Sequence, residues 1–89
     1  MKKWTLVYSD DFNKDFATLD RPIQIMVRTW IRKHLEEVDE PRVFGKPLTG
    51  TLKGLWRYRI GDYRLLVEIR DTVLIIRFVS IGHRKDIYK

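Results

Sequence analysis

An α+β fold with the order β-α-α-β-β-β is predicted by three features of this 89-residue sequence. Two segments with apolar residues at helical spacing occupy residues 9–38. Three runs rich in β-branched and aromatic residues follow Leu55, and one short alternating run precedes the helices. The helices are expected to form a hairpin packed on a largely antiparallel sheet, in one small domain over residues 1–89.

Lys3–Tyr8 reads as the first strand, because Trp4, Leu6 and Tyr8 alternate with Thr5 and Val7. Ser9 supplies an N-cap oxygen, and Asp10 and Asp11 suit the positive end of a helix. Phe12, Phe16 and Leu19 then share one face. The aspartates of this segment are read as dipole partners and solvated residues. Asp20-Arg21-Pro22 opens a second helix, whose stripe is Ile23, Met26, Val27, Trp30, Ile31, Leu35 and Val38; Pro41 is expected to end it. The short link implies an antiparallel pair. His34 has no second ligand at metal-binding spacing and reads as a boundary residue. Residues 39–54, with Pro41, Gly45, Pro47, Gly50 and Gly54, read as loop. Gly45-Lys46 superficially resembles a phosphate loop, but the glycine spacing is absent and Pro47 stands where Ser or Thr is needed.

Ile60-Gly61-Asp62-Tyr63 has the form of a hairpin with a two-residue loop. Residues whose numbers sum to 123 then face each other: Ile60 and Tyr63, Tyr58 and Leu65, Trp56 and Val67. All are apolar or aromatic and share the core face. A slip of one residue would mix the faces. The opposite face sets Arg59 across from Arg64, with Arg57 two positions along. Opposed like charges destabilise by a few tenths to ~1 kcal/mol, yet an arginine pair on a rigid hairpin suits a phosphate-binding surface. Neutralisation by acidic residues of a partner protein is the competing explanation. A second turn at Asp71-Thr72 would set Ile69 against Leu74, Val67 against Ile76 and Leu65 against Phe78. Arg77 would then lie beside Leu66 on the outer face, together with Val73, Ile75, Val79 and Ile81. So apolar an outer face calls for a covering partner. The last strand returns to the Gly61-Asp62 turn and delivers His83, Arg84, Lys85 and Tyr88 near Arg59 and Arg64.

The net charge is +6, and all of the excess lies in the second half: residues 1–41 carry −1 and residues 42–89 carry +7. Such asymmetry fits an anionic partner, nucleic acid or an acidic protein, with a solubilising surface as the plain alternative. The lack of cysteine excludes disulfides and thiolate metal sites and fits a cytoplasmic location. No run approaches the ~20 apolar residues of a membrane helix, so no membrane partner is expected.

The runs KPLTGTLKGLWRYRIGDYRLLVEI and VLIIRFVSIGHRKDIY resemble the RelE/ParE superfamily of bacterial toxins, and more narrowly its RelE branch. RxGDYR and GHRxxxY together carry the likeness, which extends over nearly the whole chain. The resemblance implies an mRNA endonuclease acting in the ribosomal A site without metal or other cofactor. It also implies an inhibiting cognate antitoxin, and contact with operator DNA indirectly, through that antitoxin. The family's second-strand basic positions fall on Arg57 and Arg59, its third-strand arginine on Arg64, its post-sheet arginine on Arg84 and its C-terminal tyrosine on Tyr88. Relatives often carry lysine at the first two positions. Arginine holds phosphate but gives up a proton poorly, which puts a lysine-type proton shuttle in doubt. Arg64, Arg84, Tyr88 and His83 are therefore the expected catalytic group, and Arg57, Arg59, Lys53, Arg77 and Lys85 the expected RNA contacts. His83 reads either as an acid or base or as a surface residue turned away. A ParE-type gyrase poison on the same fold, and a binding module that serves only as co-repressor, are the rival readings.

Overall fold

The computed structural model describes residues 3–87 and contains a five-stranded sheet in the order β1-β5-β4-β3-β2. Its strands are β1 (Thr5–Tyr8), β2 (Lys46–Pro47), β3 (Leu55–Ile60), β4 (Tyr63–Arg70) and β5 (Ile75–His83). Only β1 and β5 run parallel; the other neighbours are antiparallel. The helices α1 (Asp10–Ala17) and α2 (Arg21–His34) cover one face of the sheet. The α+β fold of two helices on a largely antiparallel sheet is thus as the apolar periodicity requires.

Aromatic contacts fasten the helices to the strands. Phe12 of α1 meets Tyr8 at 5.5 Å and Phe78 edge-on at 5.4 Å between ring centroids. Trp30 of α2 meets Tyr58 at 5.2 Å. Tyr58, Leu65, Val67, Ile76 and Phe78 are fully enclosed between helices and sheet. Each such burial contributes roughly 1.5–3 kcal/mol.

Ser9 does more than cap a helix. Its Oγ accepts the Phe12 N–H at 3.1 Å and donates to the Val79 carbonyl at 3.1 Å, while its own N–H donates to the Phe78 carbonyl. Further along, the Ile81 N–H donates to Asp15 Oδ2 at 3.3 Å. Helix α1 therefore continues the edge of β5 beyond the end of β1, hiding strand groups that would otherwise invite another chain. Asp15 is a strand cap, a role that its helical position concealed.

Four features depart from the sequence reading. First, α2 ends at His34, before reaching Pro41. Glu36 N–H closes a wide last turn on the Ile31 carbonyl, and the Trp4 indole N–H holds the Asp39 carbonyl at 3.1 Å, drawing the chain back towards β1. Second, residues 39–54 are not all loop: 3-10 turns at Pro41–Phe44 and Gly50–Leu52 flank the two-residue strand β2, an edge position where Pro47 is tolerated.

Third, the β4–β5 turn is longer than two residues. The Leu74 N–H closes it on the Asp71 carbonyl, and Arg70 pairs with Ile75, so Ile69 faces Ile76 and Val67 faces Phe78. A shift of two residues keeps each side chain on its own face. Leu74 itself sits at φ 52°, a left-handed conformation unusual for a leucine. Fourth, a bulge at Val79 breaks the register between Leu66 and Val67. One extra residue reverses the alternation, so Ile81 enters the core at 2% exposure instead of lying on the outer face. The two-residue shift at the turn, on the near side of this bulge, sets Arg77 against Glu68, not beside Leu66.

Candidate nucleic-acid interface

The face of the sheet away from the helices carries the arginines. The β3–β4 register is the expected one along its whole length: Ile60 faces Tyr63, Arg59 faces Arg64, and Arg57 faces Leu66. Gly61 makes the tight turn possible with φ +61°, a conformation that glycine adopts without strain. Across the strands, one row reads Arg59, Arg64, Gly82, and the next Lys46, Arg57, Leu66, Ser80. Leu66 is buried in that row, although it lies outside the core cluster.

Arg59 and Arg64 differ in their surroundings. Arg59 is exposed. Arg64 is only 9% exposed, and its Nη1 donates to the carbonyls of Gly61 and Tyr63, both at 2.9 Å. The Arg64 guanidinium is thus part of the turn, and its positive charge is set against carbonyl dipoles. Hydrogen bonds from a charged group contribute about 1.5–3 kcal/mol, more than the opposed-charge penalty. Arg64→Ala should therefore destabilise by about 1–3 kcal/mol, while Arg59→Ala should be neutral or stabilising by up to ~1 kcal/mol. Urea unfolding of both variants checks this; equal losses would rule out the asymmetry. Arg57 carries a second local cost: its Nε is shut off from solvent and makes no hydrogen bond among the described residues.

The end of β5 brings Arg84 beside the same turn. Its N–H donates to the Asp62 carbonyl at 2.8 Å, and its Nε stands 4.0 Å from Asp62 Oδ1, with both side chains largely exposed. Arg59, Arg64, Arg84 and Lys85 therefore share one end of the sheet. Lys53 precedes β3 at the other end, and Arg77, set between Glu68 of β4 and Val7 of β1, lies towards that end as well. His83 is also separated from the arginine face. It faces Tyr63 in register, with ring centroids 5.5 Å apart and edge-on, on the side of the sheet that carries Ile60 and Ile81. Tyr88 lies outside the described residues.

Three groups at or behind this surface were not legible as such. Lys46 lies opposite Arg57 and extends the basic row to the edge strand. Its only signal was Pro47, which suits an edge. Asp62 holds the backbone of Arg84 and accompanies its guanidinium. A third, Arg42, braces the back of the surface. It donates to Glu40 and to both carboxylate oxygens of Asp71, and lies over the Trp56 ring at 5.6 Å. The hydrogen bond to Asp71 raises its pKa further, so it stays charged. Among the described residues, no group of three or more His, Cys, Asp or Glu is placed to hold a metal ion. Among them too, no helix is long and apolar enough to cross a membrane.

Known proteins resemble this chain in sequence and fold. Residues 6–88 match the family model described as the ParE toxin of the type II toxin–antitoxin system parDE. Toxin RelG of Mycobacterium tuberculosis is 42% identical over 50 residues; the match takes in 56% of this chain and 58% of RelG, little more than half of each. A chain of the RelBE2 toxin–antitoxin complex of M. tuberculosis superposes with a TM-score of 0.83 at 29% identity, over 93% of this chain and 100% of that one. YafQ of E. coli, at 21% identity, shares the fold with a TM-score of 0.73 over 98% of this chain and 100% of its own.

Proposed function

The chain belongs to the ParE toxin family of type II toxin–antitoxin systems, and we propose on that footing that it is a ribosome-dependent mRNA endonuclease of the RelE branch. The observation that carries this reading is the convergence of Arg57, Arg59 and Arg64 on the face away from the helices, with Arg84 at the same turn. In the proposed reaction the 2′-hydroxyl of one nucleotide attacks its own 3′-phosphorus. The bond to the 5′-oxygen of the next nucleotide breaks, leaving a cyclic phosphate and a free 5′-hydroxyl. The 2′ proton goes to a base and the 5′-oxygen receives one, so no metal is required. Negative charge accumulates on the phosphorane, where preorganised donors have most effect. Arg84 meets it from the turn, Arg64 adds charge at the same end, and Arg57 and Arg59 hold the flanking phosphates. Lys85 adds a contact at that end, and Lys53 and Arg77 are the outlying contacts. Tyr88 stacks on a base or shares in proton transfer.

A face of arginines holds phosphate well and moves protons poorly. That supports a requirement for the ribosome, which would order the substrate and supply the proximity that the protein alone lacks. An acidic antitoxin suits the net charge of +6, and the exposed Val7 and Val73 near edge strand β1 offer it apolar contact. Relatives solved as toxin–antitoxin complexes support such a partner, with operator DNA reached through it. The cytoplasm, where ribosomes lie, is the location that goes with this function.

The ParE description of the family favours one other reading, a gyrase poison. Purified protein mixed with programmed ribosomes is expected to cut mRNA at A-site codon positions and to leave gyrase supercoiling unaffected. Intact mRNA together with trapped gyrase–DNA complexes would replace the nuclease reading with the gyrase one.

A further inference from the structure

We propose that His83 is a positioning residue: it locks the turn at residues 84–87 and so presents Arg84 and Lys85 to RNA, without itself touching the reacting atoms. In its catalytic consequence this rests on the nuclease reading above.

The hydrogen bonds of the turn converge on His83. The Lys85 N–H donates to its Nδ1 at 3.2 Å. Its carbonyl accepts the Asp86 N–H at 2.8 Å and the Ile87 N–H at 3.1 Å. One residue thus receives three of the turn's backbone donors. The fourth, Arg84 N–H, goes to the Asp62 carbonyl at 2.8 Å and ties the turn to the β3–β4 hairpin. An N–H pointing at Nδ1 needs a lone pair there, so the ring proton sits on Nε2 and the tautomer is set by the backbone.

The packing agrees. The His83 ring lies edge-on to Tyr63, and with Asp15, Thr18, Leu19 and Asp86 it lines a cavity of about 430 Å³ at the end of the sheet. That is the side of Ile60 and Ile81, so the imidazole is directed away from the face that carries Arg59 and Arg64. Ile87 closes the turn against Gly82, where a Cβ would come within 3.3 Å of Ile87 Cδ1. The neighbouring motif residues Gly82, His83 and Arg84 therefore have one shared purpose. Glycine admits the returning chain, histidine closes it, and arginine is what it presents.

Two substitutions separate positioning from proton transfer. Asparagine sets its Oδ1 close to where Nδ1 stands and can accept the Lys85 N–H; glutamine carries its amide one bond further out and cannot. Amide exchange of Lys85, Asp86 and Ile87 is expected to match wild type in His83→Asn and to quicken in His83→Gln. ¹⁵N NMR of wild type should show the Nε2–H tautomer. On programmed ribosomes His83→Gln should cleave roughly 10–100-fold more slowly, and His83→Asn should recover most of that loss. Equal loss in both variants with an unchanged turn would make His83 a proton carrier. Wild-type rates and exchange in His83→Gln would remove it from the site. If wild-type protein cuts no mRNA, the nuclease reading fails, and the exchange and tautomer results alone decide whether His83 locks the turn.

Discussion

Replacing Arg84 with alanine is expected to slow single-turnover cleavage of ribosome-bound mRNA by about 10²–10³-fold, with little change in stability. The two halves of this expectation have separate origins. The side chain is 56% exposed, and its carboxylate neighbour Asp62 is 4.0 Å away and itself 69% exposed, so solvent screens their attraction. The backbone bond from Arg84 to Asp62 survives the substitution. Removal of an exposed side chain of this kind usually shifts stability by no more than about 0.5 kcal/mol. The kinetic loss, by contrast, arises where charge appears only in the transition state. Arg84→Lys keeps the charge but not the planar fork that matches two phosphate oxygens, so it should fall between alanine and wild type. A wild-type cleavage rate in Arg84→Ala would remove Arg84 from the reaction. A large drop in melting temperature would show that its contact with the turn is structural after all.

The legibility of this surface followed the physics of each turn. The β3–β4 register was readable because six apolar or aromatic residues line one face, a two-residue loop fixes the offset, and Gly61 advertises its left-handed backbone. The next hairpin hid its offset, since Leu74 takes a left-handed conformation that sequence does not signal. The bulge at Val79 was equally silent. Val79 and Ile81 are both β-branched and apolar, and only the break in register between Leu66 and Val67 shows that Ile81 turns into the core. The arginine row was therefore assigned correctly to one face, whereas Arg77 and Ile81 were misplaced. His83 stayed ambiguous because its side of the sheet depends on that same bulge. Lys46 was lost in a segment whose glycines and prolines read as loop, although two of its residues pair with β3.

The largest stability effect is expected at Tyr58, which stands between Arg57 and Arg59 and points the other way. Its ring is fully buried against Trp30, and its hydroxyl donates to the Pro41 carbonyl. Gly45 approaches so closely that a Cβ there would lie 3.0 Å from the ring. Tyr58→Ala empties this space and should cost about 3–5 kcal/mol, a large part of the ~5–15 kcal/mol that stabilises a domain. Tyr58→Phe keeps the ring but leaves a buried carbonyl without its donor, for about 1–3 kcal/mol. At about 4–8 °C per kcal/mol for a chain of this size, thermal melts resolve the two. Burial also pushes the Tyr58 hydroxyl well above the usual tyrosine range. In the unfolded chain it deprotonates near pH ~10, so above that pH the unfolded state binds fewer protons than the native one. Stability must then fall as pH rises, with a slope of up to ~1.4 kcal/mol per pH unit from this group. Tyr58→Phe lacks the group, so its stability should decline less steeply above pH ~10 than that of wild type. Parallel alkaline profiles would mean that the hydroxyl is not sequestered. Because the substitution leaves Arg57 and Arg59 in register on the other face, Tyr58→Phe should cleave normally below its melting temperature, whereas Arg84→Ala should stay about 10²–10³-fold slower at every temperature. That contrast separates loss of the scaffold from loss of the chemistry.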